Sequence, residues 1–192
     1  MDPSAEAVLD FWFGPAGSAE RGRKRDAWFR KDPAFDDAIR RQFGEAVATA
    51  VAGGYGEWCG TARGALARVI LLDQFTRNIH RDTSRAFAGD ARAVATADDA
   101  LARGFDRELD PYGRWFLYMP FEHAEDALAQ RRSLALFAAL AAELGDDAPL
   151  TWARKHADVI FRFGRYPHRN AILGRASTPE EEAFLREPGS RF

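Results

Sequence analysis

Apolar residues recur along this chain at helical steps. Phe35, Ile39, Phe43 and Val47 repeat every four residues, as do Val8 and Trp12, which places each set along one face of a helix. Period-two alternation is scarce, and there is almost no Val/Ile/Thr-rich run bounded by hairpin turns, so a sheet is not expected. Start signals recur as well. Asp2-Pro3, Asp32-Pro33, Asp110-Pro111 and Thr178-Pro179 each pair a cap residue with a proline; the cap accepts from an otherwise unpaired N–H, and proline brings a preset φ and no donor to waste. Glu181, three residues after Thr178, completes a capping box. Gly14-Pro15, Gly53-Gly54, Gly104, Gly145 and Gly164 lie just past the periodic stretches and read as stops. The pattern predicts an all-α chain of about seven or eight helices. No linker or low-complexity tract divides it, so residues 1–192 are expected to form a single all-helical domain, a multi-helix array sharing one core.

Polar groups interrupt the predicted apolar faces at three places. A helix opening near Thr61 sets Leu66, Val69, Ile70, Asp73 and Arg77 along one stripe. Asp73 thus stands where a core residue is expected, and it must be paired or neutral, with Arg77 one turn later as the nearest partner; an ion pair at the surface edge would satisfy the same spacing. After Pro120, His123, Asp126 and Gln130 fall at steps of three and four beside Glu122 and Glu125, which reads as an acid/base ridge or as an exposed acidic face. His156 lies on the stripe Trp152, His156, Val159, Ile160, Phe163 and is expected to be buried or half-buried, as a hydrogen-bonded core histidine or a site residue.

That last stripe runs into Phe161–Asn170, where Arg162, Arg165, Arg169, His168 and Asn170 surround a Gly/Pro break. Arginine presents a planar fork of donors suited to carboxylate or phosphate, so the segment reads as an anion site or a buried ionic brace. Phe75–Arg81 and Phe163–Arg169 share Phe, Arg, His and Arg in register. The match does not extend beyond that hook, and coincidence is the favoured reading.

Composition narrows the function classes. A net charge of −2 and a pI near 6.1 argue against a nucleic-acid partner, and the block Arg21–Arg25 reads as a solvated face. The sole cysteine, Cys59, leaves no intrachain disulfide and no multi-cysteine zinc site. Met1–Glu6 is acidic, and the longest apolar run, Leu134 to Ala142, is far short of the roughly 18 residues that span a bilayer. No membrane contact is expected, and a cytoplasmic location is the default. There is no Glu-x-x-His pair of the di-iron type, no His-Glu-x-x-His, no phosphate-binding Gly-Lys loop, no dinucleotide glycine motif and no Gly-x-Ser-x-Gly. With several arginines repelling a divalent ion, neither a metal nor a cofactor is expected.

Phe11-Trp12-Phe13-Gly14, Trp28-Phe29, Leu71-Leu72-Asp73-Gln74-Phe75 with Arg77-Asn78, Phe87 with Asp90, Tyr118-Met119-Pro120 with Glu122-His123 and Glu125-Asp126, Gln130, His156, Phe163-Gly164-Arg165 with Pro167-His168-Arg169-Asn170, and Leu173-Gly174-Arg175 together resemble the bacterial domain-of-unknown-function family 924. The likeness runs from about Val8 to Phe192. It implies an all-helical fold akin to tetratricopeptide-like repeats and no established activity. The chain departs from the family pattern at Thr76, where proline is usual, at His80, where an aromatic is usual, and at Ala124, where serine is usual. His80 then looks incidental, which weakens the paired hooks.

The expectation is a pocket for a small anionic metabolite. His123, Glu122, Asp126 and His168 would carry any proton chemistry, and Asp73, Arg77, Asn78, His156, Arg165, Arg169, Asn170 and Arg175 would bind. A helical scaffold for a peptide or protein partner is the alternative, although the regular repeat of about 34 residues that such arrays show is missing. A wholly structural polar network is the third reading. Five Trp and 15 Phe exceed the needs of a small core and could line the pocket or a face between two copies.

Overall fold

Helix α1 (Ala5–Phe13) starts at Ser4, whose Oγ accepts from the Ala7 N–H at 3.1 Å. The predicted Asp2-Pro3 start lies outside residues 4–190, which this computed structural model describes. The other predicted starts are capped as expected. Asp32 opens α2 (Pro33–Ala52), Thr61 opens α3 (Ala62–Val69), Asp110 opens α6 (Pro111–His123), and Thr178 with Glu181 forms the capping box of α9 (Pro179–Phe184). Gly53, Gly145 and Gly164 close α2, α7 (Ala127–Leu144) and α8 (Ala148–Phe163) with left-handed backbone, a conformation that costs glycine little.

Between α3 and α4 (Thr76–Ile79) the helix continues through one wide π-helical turn, Ile70–Phe75. With Ala62–Ile79 taken as one continuous helix, the described residues hold eight helices and no strand, so the chain is all-α. No helix among them is long and apolar enough to cross a membrane.

The continuous helix is the hub of the fold. Phe75 on it packs 5.6 Å from Trp12 of α1 and 5.0 Å from Phe43 of α2, and Trp12 meets Phe116 of α6 edge-on at 5.3 Å. All four rings are buried, and such edge and tilted contacts suit the ring quadrupole. Helix α5 (Asp90–Ala102) closes on the hub through Gly89: a Cβ there would lie 2.1 Å from the Leu72 carbonyl oxygen. Only a residue without Cβ lets α5 begin so close. Helices α6, α7 and α8 pack in succession beside this core. A smaller apolar cluster, Val159, Ile160 and Tyr166 with Phe163 and Phe184, seats the segment after α8.

One predicted feature is corrected here. His123, Asp126 and Gln130 do not share a helix, because α6 ends at His123 and extended backbone at Ala124 turns the chain. Asp126 is the N-cap of α7, its carboxylate accepting from Ala129 N at 2.7 Å. The signal for this cap was in the sequence, but the i, i+3, i+7 spacing outweighed it. Gln130 lies inside and ties the junction, donating to the Glu122 and Ala124 carbonyls at 2.8 Å each.

Candidate functional site

The π turn explains how two consecutive polar residues, Asp73 and Gln74, both become buried. A π turn inserts one residue into the helix and releases backbone carbonyls from the regular ladder, a device frequent at functional sites. Side chains meet the released groups: Arg77 Nη1 donates to the Asp73 carbonyl at 2.8 Å and the Thr76 hydroxyl donates to the Leu72 carbonyl. The Asp73 carboxylate then points into a cluster. Its Oδ1 lies 2.7 Å from His123 Nδ1 and 3.0 Å from Arg77 Nη1, and its Oδ2 accepts from Gln74 at 2.5 Å. Burial by itself would raise the Asp73 pKa; Arg77 and then His123 outweigh it and hold the carboxyl well below the usual range.

An ionised Asp73 can only accept, so His123 Nδ1 carries the proton and its lone pair sits on Nε2. Burial first, and the Arg77 cation next, lower the His123 pKa, which keeps the ring neutral at neutral pH. His156 has the same tautomer, because its Nδ1 lies 2.9 Å from the Trp152 carbonyl, which only accepts. Burial, then His123, push His156 down to about 3. The two rings stand 6.0 Å apart. Glu122 is buried beside them, with Oε1 3.2 Å from His156 Nδ1, and burial followed by the Asp73 charge pushes it up to about 8. At neutral pH it holds a proton.

Arg77 reaches past Asp73 to grip Asp90 with two bonds of 2.8 and 3.0 Å. Asp90 is shared, since Arg169 Nη1 approaches its Oδ2 at 3.4 Å. Arg169 is only 6% exposed, donates to the His123 carbonyl at 3.1 Å, and lies 4.5 and 4.4 Å from the Phe87 and Tyr166 ring centres. Its Nε is buried with no hydrogen-bond partner among the described residues. Burial, and then Arg77, lower its pKa to about 10; Arg77 has Asp73 and Asp90 as counter-ions, whereas Arg169 has only the shared Asp90 within ion-pair distance.

Two hollows open on this cluster and share two lining residues, His123 and His156. One, of about 390 Å³, has cationic walls from Lys31, Arg77, Arg81 and Arg169, with His168 and the single carboxylate of Asp82. The other, of about 290 Å³, has Phe29, Trp115, Met119 and Trp152, with Glu122.

The predicted site residues thus divide. Asp73, Arg77, Glu122, His123, His156, His168 and Arg169 meet around the two hollows. Arg165 grips Glu181 at 2.6 and 2.7 Å, and Arg175 grips Glu125 at 2.6 and 2.8 Å. Asn170 bonds Ser177, Glu181 and Arg175. Asn78 donates to Asp36 at 2.7 Å, and Asp126 caps α7. None of these five lines either hollow. Sequence reasoning missed Asp90, Arg81 and Lys31 as site residues, and the aromatic wall of Phe29, Trp115 and Trp152. Asp90 and Phe29 stood within quoted motifs, and the aromatic surplus pointed to a pocket lining or a face between copies without singling out these three rings.

Glu122, His123 and His156 could together offer ligand atoms to a metal ion, all within 4.8 Å of one another. All three line the apolar hollow, and Arg77 and Arg169 in the adjoining cationic one oppose a divalent charge.

An all-helical protein with a histidine–carboxylate–arginine cluster at the junction of two hollows is the class that fold and site define. The chain belongs to the family of bacterial proteins of unknown function DUF924, whose family model matches residues 8–189. A solved structure of a protein of unknown function, ATU0120 from Agrobacterium tumefaciens, is 41% identical to it; the alignment covers 95% of this chain and 96% of that one, with a TM-score of 0.82. No curated protein matches.

Proposed function

We propose that the cationic hollow binds a small metabolite through a carboxylate or phosphate group, and that His123 exchanges a proton with it. The observation carrying this reading is Arg169, a buried guanidinium with an N–H lacking a partner and a counter-ion shared with Arg77. An anion in the hollow would give Arg169 a counter-charge that it does not share with Arg77. Asp73 orients His123 and sets its tautomer, which leaves the Nε2 lone pair as the proton acceptor. Arg165 and Arg175 take no part in this binding, because neither lines either hollow.

Thermal shift with inorganic phosphate and with simple carboxylates tests the reading. A ligand at a hundred times its Kd adds about 2.7 kcal/mol, so a clear upward shift is expected for the wild type and none for Arg169→Ala. If no anion moves the wild-type melt while Arg169→Ala loses several degrees, the cluster is a brace. The scaffold alternative rests on the tetratricopeptide likeness alone, and helix lengths running from 6 to 20 residues do not favour a regular array.

A further inference from the structure

The two hollows meet at the histidine pair and differ sharply in chemistry. Where the cationic one presents guanidinium groups, the other presents flat apolar surface, with Trp115 buried and tilted against Phe29 at a ring distance of 5.6 Å. Phe29 is 49% exposed and Trp152 44%, and both are among the few large apolar side chains left in water. Apolar surface grouped at a concave site marks a binding surface more often than chance exposure does. Size also constrains the occupant. An apolar cavity of about 150 Å³ takes one benzene ring, so a hollow of about 290 Å³ holds one ring and a short substituent. Glu122, which is protonated at neutral pH, does not add a negative charge to this wall.

We infer that the protein takes a two-part ligand, an anionic group joined by a short link to a flat apolar body, with the anion at Arg77 and Arg169 and the body against Trp115, Met119 and Trp152. This rests on the anion-binding reading above and extends it to the rest of the molecule bound. The link between the two parts then passes His123 and His156, the residues common to both hollows. The Nε2 lone pair of neutral His123 can take a proton at the link while the anion and the ring hold it in place.

Calorimetric titration of the whole chain with two matched pairs tests the inference: inorganic phosphate against phenyl phosphate, and acetate against phenylacetate. In at least one pair the aromatic member should bind tenfold or more tightly. Trp152→Ala, at an exposed position of α8, should remove most of that advantage and leave the Kd of the bare anion unchanged. Arg169→Ala should weaken both members. Equal affinities within both pairs, or an advantage that survives Trp152→Ala and Phe29→Ala together, would overturn the two-part ligand and leave the anion reading standing. Failure of all four probes to bind would overturn both.

Discussion

The two halves of the arginine-rich C-terminal segment use one residue type in opposite ways. On the outer side, Arg165 and Arg175 each face a carboxylate of their own with two bonds, and Arg165 foremost holds Glu181 down to about 2. On the inner side, Arg169 shares Asp90 with Arg77 and keeps one donor unpaired. A saturated arginine stabilises the chain, and an unsaturated one in a hollow is poised for something else. The difference lies in counter-ions rather than in arginine content, and it can be tested from both sides.

The largest effect is expected from Asp73→Ala. Removing this carboxylate takes the acceptor from the His123 Nδ1–H and from the Gln74 amide, and one of two counter-ions from Arg77; losing one partner of a buried pair costs about 3–5 kcal/mol. Urea denaturation measures it; a loss below about 1 kcal/mol would show that the inner cluster contributes little to the fold. Glu125→Ala comes next. It strips Arg175 and the Tyr166 N–H of their acceptor, at about 1–3 kcal/mol, and should leave phosphate affinity unchanged. If phosphate binding fell as far as in Arg169→Ala, the two halves would not be separate.

A smaller effect is written in the pH dependence of stability. Glu122 has a folded pKa of about 8 against an ordinary 4.5, so between these values the folded chain keeps a proton that the unfolded chain has released. Its contribution is complete below 4.5 and is lost as pH rises to about 8, at up to about 1.4 kcal/mol per unit. His156, pushed down to about 3 from 6.5, acts the other way: stability rises with pH until 6.5. The two slopes oppose each other between 4.5 and 6.5, and Glu122 alone acts above that. Stability measured from pH 6.5 to 8 should therefore fall in the wild type and stay flatter in Glu122→Gln; identical slopes would show Glu122 ionised in the fold.

Arg169→Ala should change stability least, within about 1 kcal/mol, since it removes a buried cation that has only a shared counter-ion. Denaturation midpoints decide it. A loss above about 3 kcal/mol would place Arg169 with Arg165 and Arg175 as a brace and erase the contrast.

Helix ends were readable because their physics is local. Asp32, Thr61, Asp110 and Thr178 each bond N–H groups two or three residues on, so a short window contains the whole interaction. Burial of Asp73 and His156 was readable too, because each sits on an apolar stripe whose period is set by the helix. Asp126 shows the limit of that logic: a stripe assumes one unbroken helix, and the chain turns at Ala124. The family likeness agreed with the all-α class that the periodicity had already predicted and singled out a shared polar set, without saying which members meet.

The amino-acid sequence by itself determined that this chain is helical, where most helices start and stop, and that carboxylates, histidines and arginines intrude on apolar faces. Only the tertiary structure decided which arginine faces a carboxylate of its own and which shares one. The partners lie far apart in the chain, 50 residues for His123 with Asp73 and for Arg175 with Glu125, and 79 for Arg169 with Asp90. Charge compensation in a buried cluster depends on which groups come within a few ångströms of one another, and helical period says nothing about that until the helices have packed.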